Sequence, residues 1–360
     1  MRRAEKITIR EVAARAGVSV STVSRVLSGA ESPIPIGEET RQRVLQAAKD
    51  LSYRPHPGAR LMRSKTYPTL GLVLRGAEEP FLAQLARHIR IAAKASGYET
   101  ALAYVEADSD PALRISDLMM ALRYCDGLLL AGDLPADEED IRRLRRMGWN
   151  IPVVLVCGGV PLLGESASIA ADNHAGAWMA LDYLASLGHR EIAFLGGGCG
   201  GALQERQNAY AEFMQQRFGP PRPRDIQPAS NSLEGGRQGM AALLALPQPP
   251  TAVFASSDQV AIGALQAAFE CEVRVPQDVS LIGFDDIPNA AYTPPGLTTI
   301  RQPVDALGQQ AVELLEGLMR GERCSTEGGR QIRLATQLII RKSCRRLGRG
   351  LQPFDFWRLT

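Results

Sequence analysis

Thr8-Ile9-Arg10-Glu11-Val12-Ala13-Ala14-Arg15-Ala16-Gly17-Val18-Ser19-Val20-Ser21-Thr22-Val23-Ser24-Arg25-Val26-Leu27 reads as two short helices joined by a tight turn. Thr8 and Glu11 have the spacing of a capping box, which satisfies two free N–H groups at a helix start. Val12, Ala13 and Ala16 give that helix one apolar face. Gly17 takes positive φ without steric cost and ends it. Ser19 is an N-cap for a second helix whose inner face is Val23, Val26 and Leu27. The other face carries Val20, Ser21, Thr22, Ser24 and Arg25, which are small, hydroxylic or cationic. A major groove about 12 Å wide admits such a helix, and an arginine on it can donate two hydrogen bonds to guanine.

Downstream, Ser28 to Gly37 is rich in Gly and Pro and reads as a loop. A third helix follows from Glu38 to Leu51, with Val44, Leu45, Ala48 and Leu51 on one face. The run EVAARAGVSVSTVSRVLSG, residues 11–29, resembles the helix-turn-helix of the LacI/GalR family of bacterial repressors almost letter for letter. That resemblance implies base reading by Val20, Ser21 and Arg25. It implies phosphate contacts by Ser19, Thr22 and Ser24, with Thr8 at the head of the first helix. Tyr53-Arg54-Pro55-His56-Pro57-Gly58-Ala59-Arg60-Leu61-Met62-Arg63-Ser64 falls where relatives have a hinge helix that forms on DNA and wedges a leucine into the minor groove. Here the wedge position is Met62, long and apolar enough to part a base step. Ala59 allows close helix approach. Tyr53, Pro55, Arg60 and Met62 complete the DNA-facing set. The flexible-tether reading of this Pro- and Gly-containing segment stands beside the hinge reading.

Composition agrees with a basic head on an acidic body. Residues 1–65 carry a net charge of +7 and residues 341–360 carry +5, leaving −10 for the middle of a chain whose total is +2. That segregation suits nucleic-acid binding confined to one end. The start lacks the apolar core of a signal peptide, and no run approaches the roughly 18 apolar residues of a membrane span. The six cysteines form no C-x-x-C pair, which fits a reduced cytoplasm rather than a disulfide framework. The four histidines share no ligand spacing, so no metal is expected.

From Thr69 apolar runs of strand length alternate with amphipathic segments of helix length. Strands are predicted at Leu70–Leu74, Thr100–Val105, Gly127–Leu130 and Pro152–Val156, with helices Phe81–Ala95, Pro111–Leu122 and Glu138–Met147 between them. The pattern restarts at Ser168–Ala171 and continues through helix Asn173–Leu187, strand Glu191–Leu195, helices Leu203–Gln216 and Leu233–Ala245, strand Ala252–Ala255, helix Gln259–Ala268 and strand Val279–Phe284. Thr298–Gln302, helix Asp305–Met319 and a strand pair around Ile332–Leu334 and Leu338–Ile340 close it. The fold class is therefore α/β: a small all-α helix-turn-helix domain, then a two-lobed, doubly wound parallel-sheet domain. By resemblance the body is of the type I periplasmic-binding-protein kind. The expected domains are 1–54 for the head, 55–66 for the hinge, 67–340 for the body and 341–360 for a basic tail.

In relatives the cleft between the lobes binds a sugar or, in one branch, a purine. The resemblance places Phe81 where an aromatic stacks on the ligand, and Arg206 where an arginine clamps hydroxyls or a carboxylate. Asp285 falls where a carboxylate accepts two hydroxyl hydrogen bonds. Ser257 and Gln259 are further polar positions. Cys157, Gly76, Glu79, Asn231 and Ser257 depart from residues common in relatives. The implied partners are a near-palindromic double-stranded operator, a second copy of the chain and a small-molecule effector, with a sugar or sugar acid preferred and no cofactor. Two other readings are open. Gly196-Gly197-Gly198-Cys199-Gly200-Gly201 contains G-x-G-x-x-G, a dinucleotide fingerprint, but the acidic residue it needs about 20 positions on falls in the loop Gly219–Asp225. A sugar-binding transport receptor shares the two-lobed body but leaves the basic head unexplained.

Overall fold

The computed structural model describes residues 8–28, 36–51, 68–75, 79–105, 125–132, 151–157, 166–197, 201–322 and 330–347. The chain divides into two compact units, Met1–Tyr67 and Pro68–Thr360. The expected helices Pro111–Leu122 and Glu138–Met147 lie outside the described residues.

The first unit holds α1 (Ile9–Ala16), α2 (Val20–Ser28) and α3 (Glu38–Asp50). At the start of α1 the Glu11 carboxylate accepts from both the backbone N–H and the hydroxyl of Thr8. The helix ends on Gly17 at φ 66°, where the N–H groups of Gly17 and Val18 turn back to the carbonyls of Ala14 and Ala13. The Ser19 hydroxyl oxygen accepts from the Thr22 N–H at 3.1 Å and caps α2. Gly37 opens α3 without a side-chain cap, and Glu38 and Glu39 place negative charge on its first turn instead. The helices close on Val12, Ala13, Ala16, Val23, Val26, Val44, Ala47 and Ala48. Leu45, expected inside, is 43% exposed. Residues 44, 47, 48 and 51 share one helix stripe, and 45 is turned about 100° away from 44.

The second unit contains two six-stranded sheets. The first is built from β1 (Thr69–Arg75), β2 (Glu99–Val105), β3 (Gly127–Ala131), β4 (Val153–Val156), β5 (Ser166–Ala171) and β11 (Arg330–Leu334). It runs in the order β11-β5-β4-β3-β1-β2, all parallel. The second is built from β6 (Ile192–Leu195), β7 (Ile226–Gln227), β8 (Ala252–Ala255), β9 (Ser280–Asp285), β10 (Thr298–Arg301) and β12 (Gln337–Ile339). Its order is β12-β10-β9-β8-β6-β7, parallel except for β12. Helices α4 (Pro80–Ala95), α5 (Asn173–Ser186), α6 (Gly201–Arg217), α7 (Leu233–Leu244), α8 (Asp258–Glu270) and α9 (Val304–Met319) cover the sheets. Central strands such as β3, β4 and β8 are buried along their whole length, as parallel strands covered on both faces must be.

Three corrections to the sequence reading concern which lobe owns which segment. Ser166–Ala171 completes the first sheet rather than opening the second. Helix α9 follows a strand of the second sheet yet packs against α4, β3, β4 and β5 of the first lobe. The last two strands do not pair with each other: β11 joins β5 in the first sheet and β12 joins β10 in the second. The chain therefore passes between the lobes three times, at 171–173, 302–303 and 335–336. The segment 341–347, read from the sequence as the start of a basic tail, is docked on the second lobe. Ser343 is fully buried, donates to the Leu281 carbonyl at 2.6 Å and accepts from the Thr298 N–H at 2.8 Å. A segment that supplies partners to buried backbone groups is part of the core. Residues 348–360 lie outside the described residues.

Helices α7 and α8 approach backbone to backbone, because Gly236 and Gly263 face the opposite helix. A Cβ on Gly263 would sit 1.9 Å from the Leu233 carbonyl oxygen, and one on Gly236 would sit 2.0 Å from that of Val260. Neither backbone can yield without parting the helices. Gly263→Ala is expected to cost about 2–3 kcal/mol, the upper range for overpacking, read as a lower denaturant midpoint in equilibrium unfolding.

Candidate functional site

Two surfaces carry candidate functional residues, one on each unit. On the head, α2 exposes Ser19 and Ser21 and leaves Thr22, Ser24 and Arg25 half-buried. The Ser19 hydroxyl lies 2.7 Å from that of Ser21 and 2.8 Å from that of Thr22. The result is a cluster of hydroxyls at the helix N-terminus, where unpaired N–H groups favour anions. Val20, expected to face outward with them, packs half-buried against the head's core. Thr8 is spent on the capping box. Tyr53, Pro55, Ala59, Arg60 and Met62 lie outside the described residues.

In the body, a cavity of about 310 Å³ is lined by residues of both lobes. Its floor is the end of β9. Asp285 and Asp286 leave the strand at φ 120° and 57°, both in the region that side chains disfavour. Asp258, the first residue of α8, holds this turn: its carboxylate accepts from the Ile287 N–H at 2.9 Å and from the Thr299 hydroxyl at 2.5 Å. The Asp258 N–H in turn supports the Asp285 carboxylate. Gly283 is required beneath, since a Cβ there would lie 2.3 Å from an Asp258 oxygen.

Above the turn, Arg206 of α6 is 3% exposed. Its Nη1 is 3.3 Å from Asp285 and donates to the Ser256 carbonyl at 2.6 Å. Its Nε donates to Asn173 at 3.0 Å, and the guanidinium lies 3.7 Å over the Phe284 ring. Gln302 donates to Asp285 at 2.7 Å. Thus Asn173 and Gln302, at two of the three interlobe crossings, both reach the cavity. Burial raises the Asp285 carboxyl above its ordinary range, with Arg206 and Gln302 opposing the rise. Burial, and then the Asp285 charge, push Asp258 well up. The buried guanidinium of Arg206 answers Asp285, the first of these two carboxyls. The second carboxyl, Asp258, is held by hydrogen bonds alone, while Asp286 is served by Arg301 and Arg341.

Of the residues expected around the effector, the cavity lining brings together Phe81, Cys157, Arg206, Asn231 and Asp285. Ser257 and Gln259 are not in that lining. Ser257 is buried as the N-cap of α8, accepting from the Val260 N–H at 3.2 Å, and it donates to Asn231 at 2.6 Å. It acts on the cavity only by orienting Asn231. Gln259 is half-buried with its amide oxygen unpartnered. Sequence reasoning missed Leu82, Gly132, Ala171, Asn173, Ala202, Leu203 and Gln302. The apolar members carry no chemical signature in one sequence. Asn173 opens the predicted helix Asn173–Leu187 just beyond the predicted strand Ser168–Ala171, and a polar residue near the carboxyl end of a strand is the signal that the sequence offers.

The glycine run splits. Gly196 lies where a Cβ would be 2.0 Å from the Ser256 hydroxyl, so it serves close strand packing. With Gly197 it borders a separate shallow depression beside Gln204, Gln207 and Ser230. Gly196, Gly197 and Gly201 are absent from the lining of the main cavity, to which the helix that follows contributes Ala202, Leu203 and Arg206; residues 198–200 lie outside the described residues. Among the described residues no helix is long and apolar enough to cross a membrane.

Comparison with known proteins bears on both surfaces. The family model for bacterial regulatory proteins of the lacI family matches residues 8–56. That for the periplasmic binding protein-like domain matches residues 181–344. The chain is 33% identical over 346 residues to the HTH-type transcriptional repressor CytR of Escherichia coli (strain K12), covering 94% of this chain and 97% of that one. It superposes on the Lac repressor dimer bound to operator and the anti-inducer ONPF with a TM-score of 0.77 at 26% identity, covering 95% of this chain and all of that one. For the regulator CelR in complex with cellobiose the TM-score is 0.67 at 28% identity, over 94% and 99% of the two chains.

Proposed function

The chain belongs to the lacI family of bacterial regulatory proteins, and from that premise we propose that it is a dimeric repressor released or recruited by a neutral sugar bound between the lobes. The observation that carries the ligand class is the buried Arg206–Asp285 pair in a cavity lining that also holds Phe81, Leu82 and Leu203. The lining holds one guanidinium, already answered by Asp285, and two carboxylates, Glu79 and Asp285. A sugar acid would have to displace Asp285 from Arg206, leaving a buried charge unpaired. A neutral sugar needs no such exchange. Its hydroxyls can accept from Arg206 and Asn231 and donate to Asp285, while its apolar face lies on Phe81. The regulator CelR was solved with cellobiose, which supports the sugar class. The relatives are transcriptional repressors, and we assign no catalysis to this chain and place it in the cytoplasm with its operator.

A thermal-shift screen of the full chain against aldoses, sugar acids and purines tests the ligand. A neutral sugar at 100 times its Kd is expected to add about 2.7 kcal/mol of stability. A shift produced by sugar acids or purines alone overturns the sugar reading.

DNA recognition follows from α2. The two heads of a dimer should read the half-sites of a near-palindrome, as the Lac repressor it resembles was solved as a dimer on operator. Once a duplex has been selected from random sequence with the wild-type protein, Arg25→Ala is expected to weaken binding by about 1–3 kcal/mol and relax preference at one base pair. Titrations must be made at one fixed salt concentration, since the phosphate contribution is salt-dependent. Equal loss on selected and scrambled duplexes would show that Arg25 reads no base.

A further inference from the structure

An ion pair spans the lobes and is wired to the cavity. Arg333 stands on β11, the edge strand of the first sheet, and Glu205 stands on α6 of the second lobe. Nη2 and Nη1 of Arg333 donate to the two carboxylate oxygens of Glu205 at 2.7 and 3.2 Å. The same Glu205 accepts from the Asn173 amide at 2.9 Å. Asn173, 2% exposed, in turn accepts from Nε of Arg206 at 3.0 Å. An unbroken line of charge-assisted bonds thus runs from a strand of the first lobe to the guanidinium that faces the ligand space. The pair itself is more than a third exposed on both sides, so it is weak enough to be broken by a modest competing interaction. Its buried middle member, by contrast, allows little slack.

We propose that Glu205 is a positioning residue that ties Arg206, through Asn173, to Arg333. Approach of the lobes and orientation of Arg206 toward an effector are then one event. This deepens the reading of the cavity as the effector site and rests on it. A ligand that pulls Arg206 toward itself draws Asn173 and Glu205 with it and tightens or releases the hold on Arg333. A chain lacking either end of the pair keeps its cavity residues but opens more often.

Opening can be read without an effector from Cys157, which lines the cavity and is 7% exposed. Full-length wild type, Glu205→Gln, Arg333→Gln and the double variant are treated with N-ethylmaleimide, and the rate at each cysteine is followed by peptide mass spectrometry. Either single substitution is expected to speed modification of Cys157 about fivefold, the equivalent of a pair at the upper end of exposed ion pairs. The double variant should be no faster than the singles, because each removes the same connection. Cys344, half-buried and packed on the second lobe away from the cavity lining, should react as in wild type. An unchanged Cys157 rate in either single, multiplied effects in the double, or equal acceleration at Cys344 overturns the proposal. The effector reading fails separately, by the absence of any ligand-induced shift in wild type.

Discussion

Arg206→Ala is expected to lower the unfolding free energy of the body by about 3–5 kcal/mol, the range for removing one partner of a buried ion pair. The side chain is 3% exposed and touches Asp285, Asn173, the Ser256 carbonyl and the Phe284 ring. Truncation leaves two acceptors without their donor. It also leaves Asp285 beside Asp258 with no cation in contact. Both carboxyls are already pushed up by burial, so the remedy open to the variant is to bind a proton. The penalty should therefore shrink in acid, because a folded-state pKa raised above its unfolded value contributes stability at low pH and loses it as pH rises. Denaturant unfolding of wild type and variant at pH 7 and pH 5 checks this. A deficit that is equal at both, or larger at pH 5, would mean that packing rather than charge dominates the site. The same variant should show no melting shift with any sugar.

The second large effect is acid loosening of the docked segment 341–347. His189 is 1% exposed. Its Nε2 donates to the Arg345 carbonyl at 3.0 Å, and Nδ1 faces the Thr251 hydroxyl at 3.0 Å. Burial, opposed by the hydrogen bond to Arg345 and joined by that residue's charge, lowers its pKa to about 4. The unfolded chain takes up this proton near pH 6.5 and the folded chain only near 4. Stability from this residue is therefore complete above about 6.5 and falls as pH drops toward 4. The loss is about 3 kcal/mol over that window. Asp285, raised by burial, works in the opposite sense, so the two must be separated. The difference in unfolding free energy between wild type and His189→Gln, measured from pH 7 to pH 4, isolates the histidine. A flat difference would sink the assignment.

How much of this was legible in one sequence depends on the range of the interaction. Capping of α1 by Thr8 and Glu11, the Gly17 turn and the Ser19 cap are local, and residues three apart state them. The strands β3 and β8 are apolar runs buried along their length, as is β1 from Leu70 to Leu74, and they read cleanly. Sheet membership is not local. Nothing in Arg330–Ile339 says that its two strands diverge into different sheets, because the partners that decide it lie more than 30 residues away. The cavity was half legible. Phe81, Arg206 and Asp285 have side chains whose chemistry suits a ligand. Gly132, Ala171 and Leu203 line it only because strand ends and a helix start converge there. Ser257 was misplaced for the opposite reason: its hydroxyl is chemically apt, and a helix N-terminus consumes it. Glu205 is next to Arg206 in the sequence, but its partner Arg333 is 128 residues on.

The three passages of the chain between the sheets carry a consequence for how such a receptor can be cut or evolve. Neither half is a contiguous stretch of gene. A message ending after Met319 would strip one border strand from each sheet at once, and one ending after Ala171 would lose the first half's closing helix as well. The halves cannot be exchanged with those of a cousin by a single recombination event, so both must drift together as one inheritance.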